Sequence, residues 1–99
     1  MSESVFYLDC WFEGHVQGVG FRYQAVSVAK GYEISGTVRN LTDGRVHLRI
    51  EGLEPEVRAY HNALSEEMED YIRGMDLKTG NADRSCRGFS IVSWPLLSE

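Results

Sequence analysis

The sequence predicts an α+β fold in which one antiparallel sheet carries two helices on one of its faces. Apolar residues alternate along residues 5–13 and 45–51, which is typical of strands with one buried face. Apolar residues recur at helical spacing along 21–32 and again along 57–68. These patterns follow one another in the order β-α-β-β-α-β, with a short extra strand as an alternative and no repeat, linker or low-complexity segment.

The first strand, residues 5–13, places its apolar side chains on one face: Phe6, Leu8, Cys10 and Phe12. Its other face carries Tyr7, Asp9, Trp11 and Glu13. An exposed sheet face covered by long side chains accounts for this second set. A platform on which Tyr7 and Trp11 stack RNA bases is the alternative.

A glycine-rich segment, residues 14–22, joins this strand to the first helix and reads Gly-His-Val-Gln-Gly-Val-Gly-Phe-Arg. Glycine permits sharp turns that bring backbone N–H groups close together. The first turn of a helix leaves its N–H groups unpaired at the positive end of the helix dipole. Such a junction can bind phosphate, sulfate or a carboxylate.

Arg22 adds a planar, permanently charged group that can contact two phosphate oxygens at once. The predicted phosphate-binding groups are the Arg22 guanidinium and the backbone N–H groups of Gln17, Gly18, Val19, Gly20 and Phe21. The alternative is that the glycines only form a turn between strand and helix, because short glycine patterns occur often by chance.

The first helix is predicted from the apolar spacing of Phe21, Ala25, Val28, Ala29 and Tyr32, with Gly31 as a stop signal. The second strand, residues 33–40, turns Ile34 and Val38 inward and ends at Asn40. Strand parity places Asn40 on this helix-covered face, where the phosphate-binding loop must also lie. Its amide could hold a water molecule beside a ligand. A role confined to the following turn is the alternative.

Apolar residues are spaced less regularly in the second half of the chain. Thr42-Asp43-Gly44 predicts a hairpin turn, and Pro55 predicts the first turn of a second helix, with Glu54 and Glu56 at its positive end. The apolar stripe of this helix is Val57, Tyr60, Leu64 and Met68. We predict a fourth strand over 70–78, a loop over 79–88 and a short final strand over 89–92. The result is a ferredoxin-like α/β sandwich.

Length and composition limit the possible functions. The 99 residues predict a single domain, 1–99, and the net charge of −5 disfavours a nucleic-acid partner. No apolar run approaches the roughly 20 residues that span a bilayer, and no secretory signal is visible. Cys10 and Cys86 are expected to be reduced thiols, and a disulfide between them is the alternative. We therefore expect a cytoplasmic monomer with no metal, no cofactor and no membrane partner.

The three histidines are not expected to form a catalytic group. His47 lies on the outward parity of its strand, and His61 borders the apolar stripe of the second helix. His15 lies near the glycine loop, where it could add positive charge at low pH. A rim position without a catalytic role is the simpler interpretation of His15.

Two motifs resemble the acylphosphatase family. Val16-Gln17-Gly18-Val19-Gly20-Phe21-Arg22 is similar to the phosphate loop of that family, and Val38-Arg39-Asn40 followed by Asp43-Gly44 is similar to its second motif. The specific match covers residues 14–52. Thr37 stands where many members carry tryptophan, and His15 stands where arginine or lysine is frequent. Residues 65–88 lack the Gly-Pro pattern that usually follows the second helix.

The resemblance implies hydrolysis of carboxyl phosphates to a carboxylate and inorganic phosphate. It also implies that Arg22 binds the phosphate and that Asn40 positions the attacking water. A phosphate-binding module of the same fold without catalysis is the alternative, and an RNA-binding module is a second one. The partner expected from the resemblance is a small acyl phosphate.

Overall fold

The structure is a computed structural model that describes residues 4–92. The strands are β1 (Ser4–Gly14), β2 (Ile34–Asn40), β3 (Val46–Gly52), β4 (Ile72–Asp83) and β5 (Phe89–Ile91). The helices are α1 (Phe21–Ala29) and α2 (Glu54–Glu67), and a single 3₁₀ turn, Glu69–Tyr71, follows α2. The five strands form one sheet in the order β4-β1-β3-β2-β5. The predicted ferredoxin-like sandwich is confirmed, with β5 added at one edge.

The sheet is mixed, which corrects the expectation of a wholly antiparallel sheet. β1 pairs antiparallel with β3 and β4, and β2 pairs antiparallel with β3. β5 instead pairs parallel with β2, with Gly36 opposite Phe89 and Val38 opposite Ile91. β4 and β2 run in opposite directions at the two sides of the sheet. A chain that leaves the end of β4 and turns back at the far edge therefore runs parallel to β2.

The predicted loop over 79–88 is wrong in its first half, because β4 continues to Asp83. Residues 79–83 pair with β1 along Ser4–Leu8. Pairing of this kind uses backbone groups, and an edge strand with largely exposed side chains needs no apolar alternation. The residues at 70 and 71, predicted as the start of this strand, belong to the 3₁₀ turn.

Helix α1 ends at Ala29, three residues before the end of its predicted apolar pattern. The N–H groups of Lys30, Gly31 and Tyr32 donate to carbonyls three residues earlier, so the chain leaves the helix through tight turns. Gly31 does not adopt a left-handed conformation there. The Tyr32 ring nevertheless contacts the core, with its centroid 6.0 Å from that of Tyr60.

The core lies between the sheet and the two helices. Phe12, Val38, Leu48 and Ile50 from the strands pack against Phe21, Ala25, Val57, Tyr60 and Leu64 from the helices. The Tyr60 hydroxyl donates to the Ala25 carbonyl at 2.7 Å, which joins the two helices. Neither helix of the described part combines the length and the apolar character needed to cross a bilayer.

The opposite face of the sheet carries a charged cluster rather than an open polar surface. Asp9, only 9% exposed, accepts hydrogen bonds from His47 Nε2 and Arg49 Nη1, both at 2.9 Å. The Arg49 guanidinium lies 4.1 Å from the centre of the Tyr7 ring, and the Trp11 ring packs 5.0 Å from His47. The two aromatic side chains that sequence parity placed on this face are therefore engaged within the protein.

Candidate active site

The loop between β1 and α1 leaves the N-terminus of α1 without a side-chain cap. Gly20 is the N-cap residue, with φ 79° and ψ 17°, and no side chain hydrogen bonds to the first-turn N–H groups. No acidic residue lies in that first turn. Gly18 shares the left-handed conformation with φ 79°, which favours glycine strongly over other residues. The positive end of α1 is therefore available to an anion.

A cavity of about 180 Å³ opens at this helix N-terminus. It is lined by Val16, Gly18, Gly20, Phe21, Arg22, Tyr23 and Asn40. A single water needs about 10–15 Å³ of such space, so the cavity has room for a small anion. The structure thus brings together Arg22, Asn40 and three of the five predicted loop residues.

The other two predicted loop residues do not line this cavity. Val19 packs its side chain against the core. Gln17 lies in the same loop, and its side chain reaches the β2–β3 hairpin instead. The sequence identified both only as sources of backbone N–H groups, so the structure adds a side-chain contact for Gln17 that no sequence pattern indicated.

Arg22 occupies the first turn of α1 and is partly buried. Among residues 4–92 its guanidinium takes part in no ion pair. By contrast, Arg45, Arg49 and Arg58 are each paired with a carboxylate. An arginine at an acid-free helix N-terminus, without a carboxylate partner in the described chain, is available to an anionic ligand.

Asn40 is the last residue of β2, opposite Val46 of β3. It shares strand parity with the fully buried Val38 and lines the cavity with the first residues of α1. The hairpin turn that follows is closed by other groups. Leu41 N–H donates to the Arg45 carbonyl at 2.8 Å, and Asp43 Oδ1 accepts from Arg45 N–H at 3.0 Å. The turn is therefore held by groups other than the Asn40 side chain.

His15 is exposed and does not belong to the lining of this cavity. Its backbone N–H donates to the Tyr71 carbonyl at 2.9 Å, which ties the start of the loop to the 3₁₀ turn before β4. His47 and His61 lie on the opposite sheet face and on α2 respectively. No group of three or more His, Cys, Asp or Glu side chains suitable for a metal ion occurs within 4–92.

Two larger cavities have less suitable linings. One, of about 360 Å³, is lined by Glu13, Gly14, Asp43, Gly44 and Arg45, and Arg45 is already paired with Asp43. The other, of about 400 Å³, lies at the opposite end of the sheet beside Leu53 and Glu54. Both linings include an arginine, Arg45 or Arg84, but each also includes a carboxylate, which disfavours a phosphate. The cavity at Arg22 is the better candidate despite its smaller volume.

Comparison with known proteins relates the chain to acylphosphatases. The sequence model of the acylphosphatase family matches residues 8–91. The acylphosphatase of Archaeoglobus fulgidus is 39% identical over 72 residues, which cover 72% of this chain and 81% of that protein. The acylphosphatase of Bacillus licheniformis is 44% identical over 52 residues, which cover 52% of this chain and 58% of that protein. That match therefore spans less than two thirds of the relative's length.

Solved structures show the same relationship. The acylphosphatase from Bacillus subtilis superposes with a TM-score of 0.78 at 27% identity, covering 88% of this chain and 98% of that one. HypF from T. kodakarensis superposes with a TM-score of 0.72 at 25% identity, covering 92% of this chain but only 12% of the other. The same architecture thus occurs both alone and within a much longer protein.

Proposed function

Because this chain belongs to the acylphosphatase family, we propose that it hydrolyses acyl phosphates to a carboxylate and inorganic phosphate. The observation that carries the proposal is the single cavity lined by Arg22, Asn40 and the glycines at the N-terminus of α1. Each of these groups has a function in phosphoryl transfer to water.

Arg22 and the loop N–H groups bind the phosphate. The guanidinium presents two parallel N–H donors to two phosphate oxygens. The N–H groups of residues 17–21 and the helix dipole add further positive potential around the same group. These contacts strengthen as negative charge is redistributed over the phosphoryl oxygens in the transition state.

Asn40 positions the attacking water. Its amide accepts a hydrogen bond from the water and can donate another to the phosphate, which aligns the water opposite the leaving carboxylate. An acyl phosphate has a good leaving group, so the reaction depends on positioning and on charge stabilisation more than on a strong base. Arg22 supplies the positive charge that a metal ion provides in many other phosphoryl transfers.

The proposed substrates are small acyl phosphates with little selection of the acyl group, and inorganic phosphate is the proposed product. Residues 1–99 act as one domain and as a cytoplasmic monomer in this proposal. The net charge of −5 supports a small anion over a nucleic acid as the partner, because one local positive site is enough for phosphate.

A second candidate function is phosphate binding without turnover, as a module of a larger protein. The match to a small part of HypF supports this candidate, because the fold there is 12% of a longer chain. The presence of both Arg22 and Asn40 favours catalysis, since a binding module needs no water-positioning amide.

Steady-state hydrolysis of acetyl phosphate separates the two candidates. We expect turnover by the parent protein, competitive inhibition by inorganic phosphate, and loss of turnover in Arg22→Ala. A strong chelator should leave the parent rate unchanged. Phosphate binding without any turnover would support the binding module instead, and loss of the rate on chelation would contradict the proposed role of Arg22.

A further inference from the structure

We propose that the side chain of Gln17 is a positioning residue that holds the phosphate-binding loop at a fixed distance from Asn40. This inference rests on the proposed function. Gln17 Nε2 donates two hydrogen bonds to the β2–β3 hairpin, to the Leu41 carbonyl at 2.8 Å and to the Arg45 carbonyl at 2.9 Å. Both N–H groups of the amide are thereby used.

The two carbonyls are the ones that close the hairpin. Leu41 N–H donates to the Arg45 carbonyl at 2.8 Å, and Gly44 N–H donates to the Leu41 carbonyl at 3.2 Å. Each carbonyl therefore accepts one bond from within the hairpin and one from Gln17. The Gln17 amide therefore hydrogen bonds to both carbonyls that close the turn, and it links the loop to the hairpin.

This attachment bears directly on the geometry of the reaction. Leu41 follows Asn40 in the chain, and Gly18 follows Gln17. The bond to Leu41 thus joins the chain neighbours of Gly18 and Asn40, two residues that line the cavity on different elements. The distance between the bound phosphate and the water held by Asn40 depends on this junction. A misplacement of about 1 Å can cost about 10²-fold in rate.

The start of the loop is also fixed, by a backbone hydrogen bond on the side of the loop away from the hairpin. His15 N–H donates to the Tyr71 carbonyl at 2.9 Å, toward β4 rather than toward the hairpin. Gln17 therefore hydrogen bonds through its side chain to the hairpin that directly follows Asn40. Methionine in its place would keep the volume and lose both donors, and asparagine would keep both donors but lie one methylene short.

A double-mutant cycle tests the proposal. In Gln17→Met we expect kcat for acetyl phosphate to fall about 10- to 100-fold, because the water is misaligned. Inhibition by phosphate should weaken by no more than about threefold, since Arg22 and the loop N–H groups remain. In the Asn40→Ala background the same change should lower the residual rate by no more than about threefold, because its effect passes through Asn40.

The matched control is Tyr60→Phe, which removes a buried side-chain hydrogen bond to the Ala25 carbonyl away from the cavity. It should lower the melting temperature and retain the parent kcat. If Gln17→Met does not fold, the same cycle is measured with Gln17→Asn.

Two results would overturn the proposal: a Gln17 variant as fast as the parent, or an equal fold-loss with and without Asn40. Absence of turnover in the parent would instead reject the proposed function. The two results that would overturn the role of Gln17 both require an active parent protein. They can therefore be distinguished from a failure of the proposed function.

Discussion

Arg22 in the first turn of α1 and Asn40 at the end of β2 line the same cavity of about 180 Å³. One residue offers a fixed positive charge and the other an uncharged amide. They approach from a helix and a strand that are both anchored in the core, through Phe21 and Val38. The proposed roles, phosphate binding for Arg22 and water positioning for Asn40, lead to different expectations for the two residues.

Arg22→Lys should reduce kcat/KM by about 10²-fold or more, even though the charge is kept. A lysine ammonium is a single charged point and cannot span two phosphate oxygens in one plane. The measurement is steady-state hydrolysis of acetyl phosphate together with the inhibition constant for phosphate, which should rise in parallel. A lysine variant as active as the parent would show that the bidentate contact is wrong.

Asn40→Ala should lower kcat by about 10²- to 10³-fold, the usual effect of removing one positioned polar group. Phosphate inhibition should persist, because Arg22 and the loop N–H groups are intact. The melting temperature should change little, since other groups close the hairpin turn. An unchanged kcat would return Asn40 to a role in the turn alone.

The sequence predicted the parts of the site that depend on local pattern. The glycines before Arg22 indicate a turn into a helix, and the parity of β2 indicates on which face Asn40 lies. The side-chain bonds of Gln17 to the hairpin could not be predicted, because they join segments whose contact follows only from the assembled sheet. The length of β4 was likewise missed, because residues 79–83 are held by backbone pairing with β1.

Gly20→Ala should weaken phosphate binding and destabilise the protein by about 1–2 kcal/mol, the cost of a left-handed conformation for a residue with a side chain. Gly20 has φ 79° and open space around an added Cβ, so the penalty is conformational rather than steric. Gly74→Ala is the matched control, with open space and no positive φ. Equal effects of the two changes on phosphate inhibition would contradict the role of the loop conformation.

His61→Leu should make the protein less sensitive to mild acid. Burial, followed by the charge of Arg58, lowers the pKa of His61 below its usual 6.5. The unfolded state therefore binds more protons, and stability falls as the pH drops from 6.5 through the folded pKa. Nε2 of His61 is buried and has no hydrogen-bond partner within the described chain. Removing such a group should stabilise the protein by up to about 1–3 kcal/mol.

Urea unfolding at pH 7 and at pH 5.5 measures the effect of His61→Leu. The difference in stability between variant and parent should increase at the lower pH. His47 remains in the variant. Burial lowers the pKa of His47 as well, although the neighbouring Asp9 opposes this effect. Part of the acid sensitivity should therefore persist. If variant and parent lost the same stability between pH 7 and pH 5.5, the acid sensitivity would not come from His61.

Glu51 connects the crossing segment between β4 and β5 to the sheet. Its carboxylate is fully buried and accepts hydrogen bonds from the backbone N–H groups of Ser85 and Cys86, both at 2.9 Å, and from the Ser85 hydroxyl. Arg49 donates to the same carboxylate at 3.1 Å. This set of donors explains how residues 84–88 are held over the face opposite the helices.

Glu51→Gln should destabilise the protein by about 1–3 kcal/mol at neutral pH, since an amide NH₂ would face donors that then lack an acceptor. Burial alone would raise the pKa of Glu51, but the bonds from Ser85, Cys86 and Arg49 outweigh it and lower the pKa below 4.5. The stability that Glu51 contributes is therefore fully present above pH 4.5. It is lost as the pH falls through the folded pKa.

Urea unfolding at pH 7 and at pH 3.5 tests this expectation for Glu51, with Glu54→Gln as the control. Glu54 pairs with Arg58 on the exposed face of α2, where such a pair contributes about 0.3–0.5 kcal/mol. The Glu51 variant should lose less stability on acidification than the parent, because it has already lost the charge whose protonation weakens the parent. The Glu54 variant should follow the parent at both pH values. An equal loss on acidification in the Glu51 variant and the parent would show that the acid sensitivity comes from other carboxylates.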